Sequence, residues 1–233
     1  KKITPPPPPQ NRGQKQQLIP RRNSGFPWLG NIPAHWQVVQ LKRMCVSILT
    51  GSTPKNLEII NPEETVNWFT PGDLSDRELE LRVSERKLSA TILVNNGLSW
   101  FPKNSIMIVG VGASLGKVGV TSLAASANQQ INVLLIQNLA SPWYVAYQLQ
   151  ALREVLFAHS LASTLPILSQ QRMGETMVAF PPLEEQHIIV NHIRAKTEEF
   201  TVLKRHVNNS IKLFQQKRAS LITAAVTGQL ALT

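Results

Sequence analysis

Pro181-Pro182-Leu183-Glu184-Glu185-Gln186 opens the longest stretch of the chain without a helix breaker, because neither proline nor glycine recurs until Gly228. The two prolines stop whatever precedes them, and a proline just ahead of a helix suits its first turn. Glu184 and Glu185 fall in that turn, where the helix dipole favours anions. Apolar residues then recur at Ile189, Ile193, Phe200, Leu203, Val207, Phe214 and Leu221, in steps of three, four or seven. That is a heptad seam, interrupted by Lys196, Ser210 and Lys217. The spacing predicts one helix from Leu183 to about Thr227, roughly 67 Å long at 1.5 Å per residue. A lone helix in water leaves such a stripe exposed, so the seam calls for a partner helix.

Upstream of the prolines the texture changes. Short apolar runs end in Gly, Pro, Asn or Ser at Val38–Leu41, Ser105–Val111, Val118–Thr121 and Ile131–Ile136, and read as strands. Between Pro142 and His159, the residues Trp143, Val145, Leu149, Leu152, Val155 and Leu156 are spaced like a buried helix face starting after Ser141. The fold class expected is therefore mixed α/β: a globular domain over residues 26–182, then a long coiled-coil-forming α-helix over 183–233. Residues 1–25 read as a disordered or extended basic leader, with five prolines at Pro5–Pro9 favouring polyproline II.

The 233 residues are 42% hydrophobic and 16% charged, which allows a buried core and argues against wholesale disorder. Lys and Arg number 24 against 14 Asp and Glu, a net charge of +10 that points to a polyanionic partner. The excess is uneven, at +6 in the leader, +1 over 26–182 and +3 beyond. A single cysteine, Cys45, excludes an internal disulfide and a thiolate metal site, as expected of a cytoplasmic protein. No apolar run approaches the roughly 20 residues of a membrane helix.

No catalytic constellation emerges. Gly110-Val-Gly112-Ala-Ser-Leu-Gly116-Lys117 has the wrong spacing for a phosphate-binding loop, and Val118 follows its lysine, so a glycine-rich turn between two strands is expected. Asp73, Glu85 and Lys87 have the order of a Mg²⁺-dependent nuclease site, an alternative that needs two carboxylates on one metal. His187 and His192 are five apart on the long helix and do not share a face. His35, His159 and His206 are isolated, and Cys45 reads as a small core residue. No metal or cofactor is expected. Short polar side chains do cluster with turn formers at Gly51-Ser-Thr53-Pro54-Lys55, Trp68-Phe69-Thr70-Pro71-Gly72-Asp73 and Asn128-Gln129-Gln130. Gln and Asn can pair with adenine, Lys with guanine, and Ser or Thr with phosphate.

Several motifs stand together in one order. They are Gly25-Phe-Pro-Trp28-Leu-Gly30-Asn-Ile-Pro33-Ala-His-Trp36, Gly51-Ser-Thr53-Pro54, Gly116-Lys117-Val-Gly119, Asn128-Gln129-Gln130-Ile131, the Pro-Pro-Leu-Glu-Glu-Gln element, and Leu221-Ile-Thr-Ala-Ala-Val226-Thr-Gly228. In these the chain resembles the specificity (S) subunits of type I restriction–modification enzymes. The resemblance implies a target recognition domain over 26–182 and a spacer helix over 183–233. S subunits usually carry two such units, with their helices paired antiparallel, so the chain resembles a half-subunit that dimerises or the second half of a longer product.

It further implies a non-catalytic, sequence-specific DNA-binding subunit that positions methyltransferase and, through them, restriction subunits. Thr53, Lys55, Asn67, Trp68, Thr70, Lys117, Asn128, Gln129 and Gln130 are then the residues expected near double-stranded DNA. Ile189, Ile193, Phe200, Leu203, Val207, Phe214 and Leu221 are expected in the helix-pairing interface, in a homodimer or with a second unit. Two other readings remain at this point: the Mg²⁺ nuclease, and a coiled-coil adaptor that binds protein only.

Overall fold

The computed structural model describes residues 19–54, 65–160 and 166–229. Among the described residues, twelve short strands and five α-helices follow one another. β1 (Arg21–Asn23) and β2 (Asn31–Pro33) form an antiparallel ribbon, and β3 (Gln37–Gln40) leads through a 3₁₀ turn into β4 (Cys45–Thr50). Next come β5 (Thr65–Phe69), β6 (Glu80–Leu81), β7 (Lys87–Ser89), α1 (Ala90–Asn95), β8 (Ile106–Val109), β9 (Val118–Thr121), β10 (Ala125–Ala127) and β11 (Ile131–Ile136). α2 (Pro142–Ala151), α3 (Arg153–Ala158), α4 (Gln170–Glu175), β12 (Met177–Phe180) and α5 (Leu183–Val226) complete the order.

The main sheet has five strands in the order β4-β11-β8-β9-β6, antiparallel except for the β6–β9 edge pair. Its central strands are apolar on both faces, and alternation along β8 shows why. Ile106 and Ile108 point into one core with Val118, Val120, Leu134 and the α2 residues Val145 and Leu149. Met107 and Val109 point into a second core with Ile131, Val133, Phe69 and Ala127. The second face is covered by a three-stranded sheet, β10-β5-β7. A strand buried on both faces reads as a continuous apolar run, as Ile106–Val109 does.

The strands expected at Val118–Thr121 and Ile131–Ile136 have those bounds. The first expected strand ends at Gln40, because Leu41 opens the 3₁₀ turn and is fully buried. The run Ser105–Val111 is strand only from Ile106 to Val109, since Gly110 and Val111 leave the sheet to meet Leu168 and Ile167. The glycine-rich segment is, as read, the turn between β8 and β9, with Gly116 at φ +80°, a region that favours glycine.

The helix expected over 142–159 is two helices. Leu152 (φ −91°, ψ 13°) ends α2, and Arg153 starts α3 while its guanidinium donates to the Leu115 carbonyl and pairs with Asp76. Both pieces bury the same face, through Leu149, Leu152 and Leu156, so the apolar spacing runs through the break. The leader expected through residue 25 is also corrected. Arg21–Asn23 belong to the fold as β1, with Arg22 donating to the carbonyls of Ala34 (3.2 Å) and Trp36 (2.7 Å), while residues 1–18 lie outside the described residues.

α5 runs unbroken for 44 residues. Its first turns are held by the domain: Gln186 and Val190 are buried, and Ile189 packs on the core beneath α2. From Arg194 to Thr223 every residue is exposed. No helix among the described residues is long and apolar enough to cross a membrane.

Candidate nucleic-acid interface

The sequence motifs that seemed separate meet at two places. The first is the root of α5. The Gln186 amide, fully buried, donates to the Pro181 carbonyl (2.9 Å) and accepts from the Ser141 backbone N–H (2.8 Å), tying the helix start to the N-terminus of α2. Glu185 accepts from the Trp36 indole N–H (2.9 Å) and lies 2.6 Å from His35 Nε2. The indole hydrogen bond, and then His35, hold the Glu185 carboxyl below the usual carboxylate range. Trp28 donates to the Met177 carbonyl (3.1 Å), fixing the same N-terminal segment against β12.

The second place is a polar face where β4, the β10–β11 turn and the β8–β9 turn converge. Gly51 makes it possible, because a Cβ there would lie 2.3 Å from the carbonyl oxygens of Ala127 and Asn128. Its close approach lets Gly51 N–H reach the Ile131 carbonyl (2.9 Å) and Ser52 N–H the Ala127 carbonyl (2.8 Å). Thr53 is thereby brought against Gln129, and its hydroxyl donates to the Gln129 side-chain oxygen. Asn128 shapes the turn: its side-chain oxygen accepts from Gln130 N–H (3.1 Å) and its amide donates to the Gln130 side-chain oxygen (3.2 Å). Gln129 and Gln130 are exposed, and each amide nitrogen carries two donors beyond these oxygen-side bonds.

Two adjoining clefts flank this turn and share Gln130 and Val111 as their common wall. One, of about 400 Å³, has Thr70, Arg86, Gly112 and Ser114 on its far side. The other, of about 430 Å³, is lined by Thr50, Asn132, Gln170 and Gln171. Amides and hydroxyls, with few charges, therefore surround Gln129 and Gln130.

Of the nine residues expected near DNA, Thr53, Gln129 and Gln130 come together on this face, and the half-buried Lys117 sits on the neighbouring β8–β9 turn. Lys55 lies outside the described residues. The other four also have partners within the fold, and Thr70 and Asn128 line one of the two clefts. Trp68 is 3% exposed in a small core with Val66, Leu88 and Leu93, and its indole donates to the Ser52 carbonyl (3.1 Å). Asn67 donates to the Arg82 carbonyl (3.0 Å) and accepts from Ser84. Thr70 forms a capping box with Asp73, and Asn128 is the buried turn-former already described.

Arg86, Ser114 and Gln171 were missed by sequence reasoning. Gln170-Gln171 has the same amide-pair character as Gln129-Gln130. The contacts that bring the pairs together are tertiary: Leu168 N–H donates to the Gly110 carbonyl (2.8 Å), and Asn132 donates to the Leu168 carbonyl (3.1 Å).

The nuclease alternative is not supported. Asp73 accepts from Thr70 N–H (2.7 Å), the Thr70 hydroxyl (2.8 Å) and Glu85 N–H (2.7 Å), so its carboxylate caps a turn and braces a loop. Among the described residues no three His, Cys, Asp or Glu side chains are grouped to hold a metal ion. Burial pushes the Cys45 thiol up to about 12, which keeps it protonated and unreactive at neutral pH.

In the pairing seam, Ile189 and Ile193 are the residues nearest the domain. Ile189 packs on the domain core, and the half-buried Ile193 lines the cleft beside Trp143. Phe200, Leu203, Val207, Phe214 and Leu221 are all exposed large apolar residues.

A rigid scaffold that presents amides and hydroxyls at one end of a long, apolar-striped helix defines a recognition module. The sequence model of the type I restriction modification DNA specificity domain matches residues 33–213, and the chain belongs to that family. Specificity subunits of this kind are non-catalytic. In fold the chain is similar to one solved in work on complex assembly and conformational transition of the type I R-M system. That match has 19% identity and a TM-score of 0.66, covering 83% of this chain and 46% of the other. It is also similar to the HsdS subunit from Thermoanaerobacter tengcongensis, at 20% identity and a TM-score of 0.57, covering 75% of this chain and 40% of that one. The chain thus spans less than half the length of either.

Proposed function

We propose that this chain reads one short half-site of double-stranded DNA with the face built from Thr53, Gln129 and Gln130, flanked by Lys117, Arg86 and Gln171. The observation that carries the reading is the placement of two exposed glutamine amides on a locked turn between two polar clefts. Base edges are read by neutral donors and acceptors, which suits a domain of net charge only +1 over residues 26–182. Phosphate attraction falls to local cations, to the helix and to partner subunits.

The unit reads as a recognition domain up to Pro182, with β1 included, and a spacer helix over Leu183–Val226, working in the cytoplasm. The distal part of α5 pairs with the same helix of a second copy, or of a non-identical recognition unit. Charge favours an antiparallel arrangement. From Leu183 to Glu199 four acidic residues face two basic ones, whereas Phe200 to Val226 holds five basic residues and no acidic one. Parallel pairing would set the basic halves against each other. The pair of helices then docks methyltransferase subunits and, through them, restriction subunits, which supply the chemistry.

Selection from a pool of random duplexes by the full chain tests the reading. A recurrent short motif is expected. Gln129→Ala and Gln130→Ala should each relax it at one position, at about 1–3 kcal/mol per lost bidentate contact. Equal loss of affinity for selected and random DNA would show that the glutamines do not read bases. Inverted repeats in the selected pool would mark a homodimer, and an asymmetric bipartite site a pairing with a different unit.

A further inference from the structure

We infer that the stack of Arg194 on Trp143 is a positioning clamp that sets the direction of α5 and, through it, the separation between the two half-sites. The inference rests on the bipartite reading proposed above. The Arg194 guanidinium lies 4.1 Å from the centre of the Trp143 ring, joining α5 to α2 outside the buried root at Gln186 and Val190. Just there the helix stands away from the domain over a cleft of about 520 Å³, lined by Glu80, Trp143, Tyr147, Ile193 and Thr197. Close packing therefore does not hold the helix at this point. Glu80 adds attraction, because Arg194 is among the charges that hold its carboxyl down, after its hydrogen bonds from Arg82 and Ser122.

Position gives this contact leverage. From Arg194 outward the helix is exposed and extends about 48 Å to Val226 at 1.5 Å per residue. A tilt of about 10° at the clamp swings the far end by roughly 8 Å, which is about two base pairs of duplex. The root contacts fix where the helix starts, and a stack one turn beyond them fixes where it points. Arg194 touches no proposed reading residue, so it acts on separation and not on half-site sequence.

The test is selection from random duplexes by full-length wild type, Arg194→Ala, Arg194→Lys and Trp143→Ala, with sequencing of the bound pools. Wild type should yield two half-sites at one separation. Arg194→Ala should keep the half-sites and raise the share of neighbouring separations roughly two- to five-fold, the ratio expected of an exposed cation–π contact. Arg194→Lys, which keeps a cation over the ring, should restore most of the wild-type distribution. Trp143→Ala should match Arg194→Ala. Because Arg194 is exposed, its variants keep the test valid if Trp143→Ala does not fold. Paired half-sites at an unchanged single separation in Arg194→Ala overturn the clamp alone. A wild-type pool without paired half-sites overturns the bipartite reading and the clamp with it.

Discussion

Glu185 and Gln186 show how two adjacent residues of one motif divide the work at the helix root. Gln186 faces inward and satisfies two backbone groups that would otherwise be buried without partners, which makes it hard to replace. Glu185 faces the rim and accepts from Trp36 while lying beside His35. Its lowered pKa carries a sign that can be tested. The stabilisation is fully present above the ordinary glutamate value and disappears as pH falls through the lowered folded one. Glu185→Gln should therefore lower the melting temperature at pH 7 and converge on wild type as the pH falls through the lowered folded value, below the ordinary glutamate range. The expected cost at neutrality is ~0.5–1 kcal/mol, since a partly exposed carboxylate is screened by solvent. A difference that stays constant from pH 7 to pH 3 in thermal scans would rule out the ionised contact.

At the scale of elements, α5 is anchored at one end and bare along the rest. Phe200, Leu203, Val207 and Phe214 are between 49% and 69% exposed, a stripe of large apolar side chains that water disfavours. Because these exposed residues belong to none of the core clusters among the described residues, their substitution separates assembly from folding. Leu203→Asp with Val207→Asp should leave the melting of the isolated chain unchanged. In a paired state it would place unpaired charge in an apolar seam, costing roughly 3–5 kcal/mol of association. Sedimentation of wild type and variant over a concentration series reads this directly. Unchanged association in the double variant would remove the seam as the pairing surface.

For the whole molecule, the long helix makes distance a heritable property of the chain. Two recognition domains on antiparallel helices about 66 Å long are separated by at most roughly 20 base pairs of straight duplex. Partial overlap of the helices makes the unread spacer shorter than that bound. Inserting four residues between Val207 and Phe214 adds about one turn, near 6 Å, while nearly preserving the face of the stripe. The preferred spacer should lengthen by one or two base pairs with both half-sites unchanged. Altered half-sites, or an unaltered spacer with assembly intact, would show that the helix is not the ruler.

Patterns that repeat locally were legible in the sequence alone. The absence of breakers and the heptad stripe predicted α5 almost to the residue, because helix start, period and stop are encoded within neighbouring residues. Strands Val118–Thr121 and Ile131–Ile136 were legible for the same reason. The candidate site was legible only in part. Residue type singled out Thr53, Gln129 and Gln130, which meet on one exposed face, but equally Trp68, Asn67, Thr70 and Asn128, whose side chains have partners within the fold. Ile189 likewise fits the heptad period as well as Leu203 does, yet it packs on its own domain, and Ile193 lines the cleft beside that domain. Side-chain chemistry and period say what a residue can do, whereas burial and partners depend on which distant segments meet. Only the tertiary structure decided that the Gln170-Gln171 pair joins Gln129-Gln130 across Leu168 and Asn132, and that Arg194 stacks on Trp143.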